Sequence, residues 1–67
     1  PGDSLMLYNC ACLYAQLGEK KKAIDTLREA IAAGVTNFQW MVRDPDLLSL
    51  HEDPEFIELS KDREAGA

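Results

Sequence analysis

The chain has 67 residues, 46% of them apolar and 28% charged, with a formal net charge of −5. At about half a usual domain length it has room for one small core and none for a catalytic domain beside a second module. Its apolar content excludes a disordered chain, and no apolar run approaches the ~18 residues of a membrane span.

Asp3 or Ser4 is placed to cap a helix that starts at once, because Leu7, Cys10, Ala11, Tyr14 and Leu17 recur at three- and four-residue steps. Gly18 follows the last of these, where a helix end calls for a residue that tolerates positive φ. A second helix runs from Glu19 or Lys20 to Ala32, with Ala23, Ile24, Leu27, Ala30 and Ile31 on one stripe, and Gly34 closes it in the same way. The connection is short, so the two helices are expected to be antiparallel neighbours, an αα-hairpin. Thr36 followed by Gln39 has the capping-box form and predicts a short helical segment from Asn37 to about Val42. Asp44-Pro45 and Asp53-Pro54 each set a capping carboxylate before a proline suited to the first helical position. They predict a short helix over Pro45–Leu50 and a final one over Pro54–Lys61, with Phe56, Ile57 and Leu59 supplying apolar contacts. Residues 63–67 read as a frayed tail. No apolar–polar alternation is sustained, so the fold class is all-α.

A core this small rarely supplies more than ~3–5 kcal/mol. Cys10 and Cys12 cannot add a disulfide, since two residues along a helix turns them ~200° apart. Reduced thiols fit a cytoplasmic setting. The charge is uneven: residues 1–34 balance four acids against four bases, while residues 35–67 set eight acids against Arg43, Lys61 and Arg63. Phosphate binding needs a basic surface, so neither nucleic acid nor an anionic membrane is expected as a partner. The opening Pro1-Gly2, with no initiator methionine and no apolar leader, reads as the start of a piece of something longer.

Taken together, Leu7, Cys10, Ala11, Tyr14, Leu17-Gly18, Ala23, Leu27 and Ala30 fall at the spacing of the tetratricopeptide repeat signature, W-x2-L-G-x2-Y followed by A-x3-F and a later A and P. Leu7 stands for the large aromatic, Cys10 for leucine, Ala11 for glycine, Leu27 for the second aromatic and Val35 for the closing proline. The signature covers residues 3–36. The run from Tyr8 through Gly34, Phe38, Trp40, Arg43-Asp44-Pro45-Asp46-Leu47 and Asp53-Pro54-Glu55-Phe56 resembles the last repeat and closing segment of bacterial tetratricopeptide arrays. Such arrays often lie C-terminal to adenylate cyclase, protein kinase or transcriptional-regulator domains.

The resemblance implies a fragment of a right-handed superhelix, with a repeat over residues 1–36 and a capping segment over residues 37–62. In that segment Trp40, Leu47, Leu48, Leu50 and Phe56 would fold back onto the hairpin and the acids would face water. It also implies that the first helix lines a concave groove for an extended peptide or a partner helix, with Leu5, Tyr8, Asn9, Cys12, Ala15 and Gln16 facing it. The carboxylate-clamp subset of the family needs lysine or arginine on this surface. Only the asparagine is matched here, so acidic chaperone C-termini are not the expected ligand.

Other constellations offer less. The one histidine, His51, sits in Leu50-His51-Glu52-Asp53 and reads as an exposed or capping residue at a helix end rather than a general acid or base. A metal site through Asp44, Asp46, His51, Glu52, Asp53 and Glu55 would lack both H-E-x-x-H and the third oxygen ligand and glycine of a calcium loop. No metal and no cofactor is expected. Cys10-Ala11-Cys12 has neither redox nor zinc spacing, and both cysteines read as small packing residues, Cys12 being the more reactive if either is. Lys20-Lys21-Lys22 reads as a solvated face paired one turn on with Asp25 and Glu29.

The functional expectation is a non-catalytic protein–protein interaction module, the terminal repeat of a longer array, monomeric or weakly self-associating, whose partners are a peptide or protein and the neighbouring repeats. The alternatives are a purely structural cap for the preceding repeat and, far behind, a small metal-binding or enzymatic domain.

Overall fold

The computed structural model describes residues 2–61. The elements are α1 (Gly2–Gln16), α2 (Lys20–Ala32), α3 (Phe38–Met41), a 3-10 segment η1 (Pro45–Leu50) and α4 (Pro54–Leu59), with no strand among the described residues. The fold class is all-α. The tail expected over residues 63–67 and the last residue of the expected cap lie outside the described residues.

Glycine sets both helix stops in the first half. Gly18 takes φ +81°, which lets Glu19 N–H donate to the Tyr14 carbonyl (2.9 Å) and Gly18 N–H to that of Ala15 (3.1 Å). Gly34, at φ +127°, repeats the device: Val35 N–H donates to Ala30 (3.0 Å) and Gly34 N–H to Ile31 (3.1 Å). These paired six-to-one and five-to-two bonds satisfy carbonyls that a helix end leaves open. A Cβ at Gly34 would meet nothing within 4 Å, so Gly34→Ala carries only the backbone penalty of positive φ. Its expected cost is about 1–2 kcal/mol, read as a lower urea midpoint with an unchanged slope.

The starts differ in detail from the sequence expectation. α1 begins at Gly2, so Asp3 and Ser4 lie inside its first turn, where the Asp3 charge complements the helix dipole instead of capping. α3 begins at Phe38: the Asn37 carboxamide oxygen accepts from Trp40 N–H (3.3 Å), and Thr36 contributes only its carbonyl, to Phe38 N–H. Asparagine caps at least as well as threonine, and the later residue prevails. Asp44 and Asp53 cap as expected, each accepting at 2.9 Å from the N–H two residues on. α4 stops at Leu59, two residues short of Lys61, where Ser60 Oγ donates to the Ile57 carbonyl. A hydroxyl bonded to its own backbone competes with helix continuation.

The residues 17–19 that join α1 to α2 fold α2 back alongside α1, and η1 then lies across α1, touching α2, which also meets α4. One buried cluster spans these elements: Ala11, Cys12 and Ala15 from α1; Ala23, Ile24 and Leu27 from α2; then Met41, Leu47, Leu50, Phe56 and Leu59. Of the expected repeat core, Ala11, Ala23, Leu27 and Ala30 are fully buried and Tyr14 packs at the edge, whereas Leu7 and Cys10 are half-buried outside the cluster. Leu17 is 76% exposed. It follows the last helical residue and points ~200° away from the buried Ala15, so it cannot share that face.

Corrections also fall in the second half. Leu47, Leu50 and Phe56 are buried as expected, but Leu48 is 68% exposed, and Trp40 and Ile57 are about half exposed. Neighbouring positions on a short helix diverge by ~100°, so Met41 goes inward where Trp40 does not, and Phe56 and Leu59 go inward where Ile57 does not. Among the acids, Asp46, Glu52, Glu55 and Glu58 are exposed, Asp53 is half-buried and Asp44 is buried; Asp62 and Glu64 lie outside the described residues. The lysine run stands as a solvated face, with Lys21 paired to Asp25 at 3.9 Å and Lys22 lying 5.9 Å from the Tyr14 ring centre.

A candidate peptide-binding cleft

η1 is tied to α1 by three side-chain bonds, and all three fall on the α1 face expected to line a groove. Tyr8 OH donates to Asp44 Oδ2 (2.5 Å), Ser49 Oγ to the Ala15 carbonyl (2.9 Å), and Gln16 Nε2 to Asp46 Oδ1 (2.9 Å). The chain therefore covers the C-terminal half of that face with its own residues. Ala15, 2% exposed, is sealed in the core and is withdrawn as a ligand contact, and Gln16, though exposed, is engaged with Asp46. Toward the N-terminus the face stays open. Leu5, Tyr8, Asn9 and Cys12 form one side of a cleft of about 420 Å³ whose other side is Val35, Asn37, Trp40, Asp44 and Asp46. Four of the six expected groove residues thus share one cavity. Trp40, expected in the cap core, belongs to the opposite wall.

Asp44 organises the floor. It is only 4% exposed, and its carboxylate caps η1 through Asp46 N–H while accepting from Tyr8 OH and, at 4.0 Å, from the Cys12 thiol. Burial foremost, then the hydrogen bond to Asp44 and its charge, holds the Tyr8 phenol protonated well above the ordinary tyrosine range. Burial foremost, then the charges of Asp44 and Asp46, pushes the Cys12 thiol up to about 11, with the contact to Tyr8 acting in the opposite sense. Cys12 is therefore the less reactive cysteine, contrary to the sequence expectation. A raised thiol pKa keeps Cys12 in its unreactive protonated form, and the residue is buried while Cys10 is half-exposed. Iodoacetamide under native conditions is expected to modify Cys10 first, as read by peptide mapping.

Cys12, Asp44 and Asp46 also place one potential ligand atom each within 4.8 Å of one another. Residues so far apart in sequence give no spacing signal, and the candidate ligands of the sequence separate in space: Asp44 and Asp46 lie here, His51, Glu52 and Asp53 line another surface with Lys20, and Glu55 is paired with Arg28. His51 ends η1, but it is half-buried and not exposed, its ring stacked on Phe56 with centroids 5.5 Å apart.

No family model matches the chain, and no solved structure does. The chain is similar to a segment of a curated chloroplastic protein of Arabidopsis thaliana, with 34% identity over 58 residues. The alignment takes in 87% of this chain and 17% of the relative, so the chain spans about a sixth of that protein's length. Among the described residues no helix is long and apolar enough to cross a membrane.

Proposed function

We propose that this chain is a non-catalytic protein–protein interaction module, a tetratricopeptide-like repeat with its closing segment, that binds an extended peptide or partner helix along α1. The cleft carries this reading. It joins the open N-terminal half of the α1 inner face to Val35 and Trp40, with an apolar wall, two side-chain amides and two carboxylates. A concave, mainly apolar surface with a few convergent polar groups is the usual form of a recognition site. Asn9 and Asn37 offer amides to a peptide backbone, and Tyr8 an apolar body with a polar tip. The two free thiols suit a reducing compartment, the cytoplasm or, by analogy with the chloroplastic relative, a plastid.

A second reading, the structural cap of a longer array, is favoured by two observations. η1 already occupies half of the α1 inner face, and Met6, Leu13 and Leu17 leave an apolar stripe more than half exposed along a neighbouring face. Stacked repeats bury such faces against their neighbours. That the relative is several times longer than the matched segment agrees with a place inside an array.

Amide chemical shifts on adding a mixture of short random-sequence peptides separate the two. Interaction along the cleft should move Leu5, Tyr8, Asn9, Val35 and the Trp40 indole and leave α4 untouched. A spectrum unmoved by the mixture would leave the cap reading in possession.

A further inference from the structure

We propose that the cleft receives a cationic side chain of the bound peptide, an arginine foremost, between Tyr8 and Trp40 and against Asp46. This rests on the peptide-binding reading above and gives its ligand chemistry.

The lining is divided in a way that suits a guanidinium on an alkyl stem. Leu5 and Val35 are apolar, Tyr8 and Trp40 are aromatic, and Asp44 and Asp46 are acidic. Ring faces attract a cation through their negative quadrupole, and arginine also stacks on them. The carboxylates are close together, with oxygens within 4.8 Å, and neither forms an ion pair among the described residues; the pairs there are Lys21–Asp25, Arg28–Glu55 and Lys61–Glu58. Two like charges at that separation repel, and a cation entering the cleft relieves the repulsion.

The two acids are not equivalent. Both Asp44 oxygens are engaged, one by Asp46 N–H and the other by Tyr8 and Cys12. Asp46 accepts from Gln16 on Oδ1 alone, which leaves its Oδ2 without a partner among the described residues. A metal ion fits less well than a guanidinium. Zinc takes about four ligands, whereas Cys12, Asp44 and Asp46 make three, and both Asp44 oxygens are already engaged. A guanidinium can use a single free carboxylate oxygen and neighbouring aromatic rings, and Asp46 Oδ2, Tyr8 and Trp40 all line the cleft. The surplus of acids, twelve against seven bases in the whole chain, favours the same sign of partner.

The test uses the one tryptophan, Trp40, as its own reporter. Three capped peptides of the form Ala-Leu-Xaa-Leu-Ala, with arginine, its neutral isostere citrulline, or glutamate at the centre, are titrated while Trp40 fluorescence is followed, together with free argininamide. The arginine peptide should bind about tenfold more tightly than the citrulline peptide, the glutamate peptide should be weakest, and argininamide should bind more weakly than the arginine peptide. Asp46→Asn keeps an Oδ1 for Gln16 and the N–H that Asp44 accepts, so the fold is retained, as an amide spectrum will check. It should bring the arginine peptide down to the citrulline affinity. Equal affinity for arginine and citrulline would overturn the cation inference and leave peptide binding standing. No response to any peptide would overturn both. A preference for arginine that survives Asp46→Asn would overturn the assignment to this cleft, and argininamide as tight as the peptide would overturn the peptide as its source.

Discussion

Replacing Asp44 with alanine is expected to lower stability by about 2–4 kcal/mol, which approaches everything a core of this size supplies. The loss has two parts. Removing the cap of η1 costs about 1 kcal/mol, and leaving the Tyr8 hydroxyl without its acceptor in a half-buried position costs about 1–3 kcal/mol more. Asp44→Asn retains an oxygen for the cap or for Tyr8 and should lose roughly half as much, so urea unfolding of the two variants tests the division. A cost below about 0.5 kcal/mol for Asp44→Ala would show that the link between η1 and α1 is incidental.

The same cluster makes stability fall in alkali. Tyr8 and Cys12 both titrate higher when folded than at their ordinary values of 10.0 and 9.0. Below about pH 8 both states hold these protons and the full contribution is present. As pH rises further the unfolded chain releases protons that the folded chain keeps, so the unfolded state binds fewer and stability declines; the Cys12 share of the loss is complete once that thiol ionises near about 11, while the Tyr8 share continues beyond it. The urea midpoint should therefore drop from about pH 8.5 up to at least about pH 11, and Cys12→Ser should make that drop shallower.

Most of the fold was legible because its stops and starts are chemical. Gly18, Gly34, Asp44-Pro45 and Asp53-Pro54 mark element ends that sequence alone locates within a residue, since positive φ and side-chain caps are local requirements. What was not legible is which of two adjacent apolar residues turns inward on a helix as short as α3. Trp40 and Met41 differ by one ~100° step, and only the neighbouring elements decide between them. The cleft was half legible for a similar reason. The α1 positions Leu5, Tyr8, Asn9 and Cys12 share a face by periodicity, but Asp44 reads as a helix cap and nothing more until η1 folds across α1 and brings it to Tyr8, 36 residues away. The exposure of Leu17, on the stripe with Met6 and Leu13, was not legible because α1 is apolar on two faces, and periodicity cannot say which of them the hairpin buries.

Phe56→Ala is expected to unfold the whole chain rather than free α4 alone. The ring is almost wholly buried and stacks on His51, and large-to-small changes at such sites cost about 3–5 kcal/mol. Besides Phe56, α4 is held by Leu59, also buried in the core, and by the Arg28–Glu55 pair at 2.8 Å, whose side chains are both more than half exposed and whose contribution is at most about 1 kcal/mol. A separable cap would come away at that point and leave α1 and α2 intact. The burial pattern argues otherwise. Met41, Leu47 and Leu50, all beyond residue 36, share one fully buried cluster with Ala11, Ala23 and Leu27 of the hairpin. Exposing that cluster from the α4 side removes the apolar cover on which α1 and α2 depend, and a two-helix hairpin of this length is not stable by itself. Circular dichroism should therefore show the helical signal lost in one transition, and amide resonances of residues 2–34 should collapse together with those of residues 45–59. If the hairpin resonances instead keep their native positions while only the later ones are lost, a boundary near residue 36 is a true unit of folding, and the closing segment is a detachable cover for the α1 face rather than half of its core.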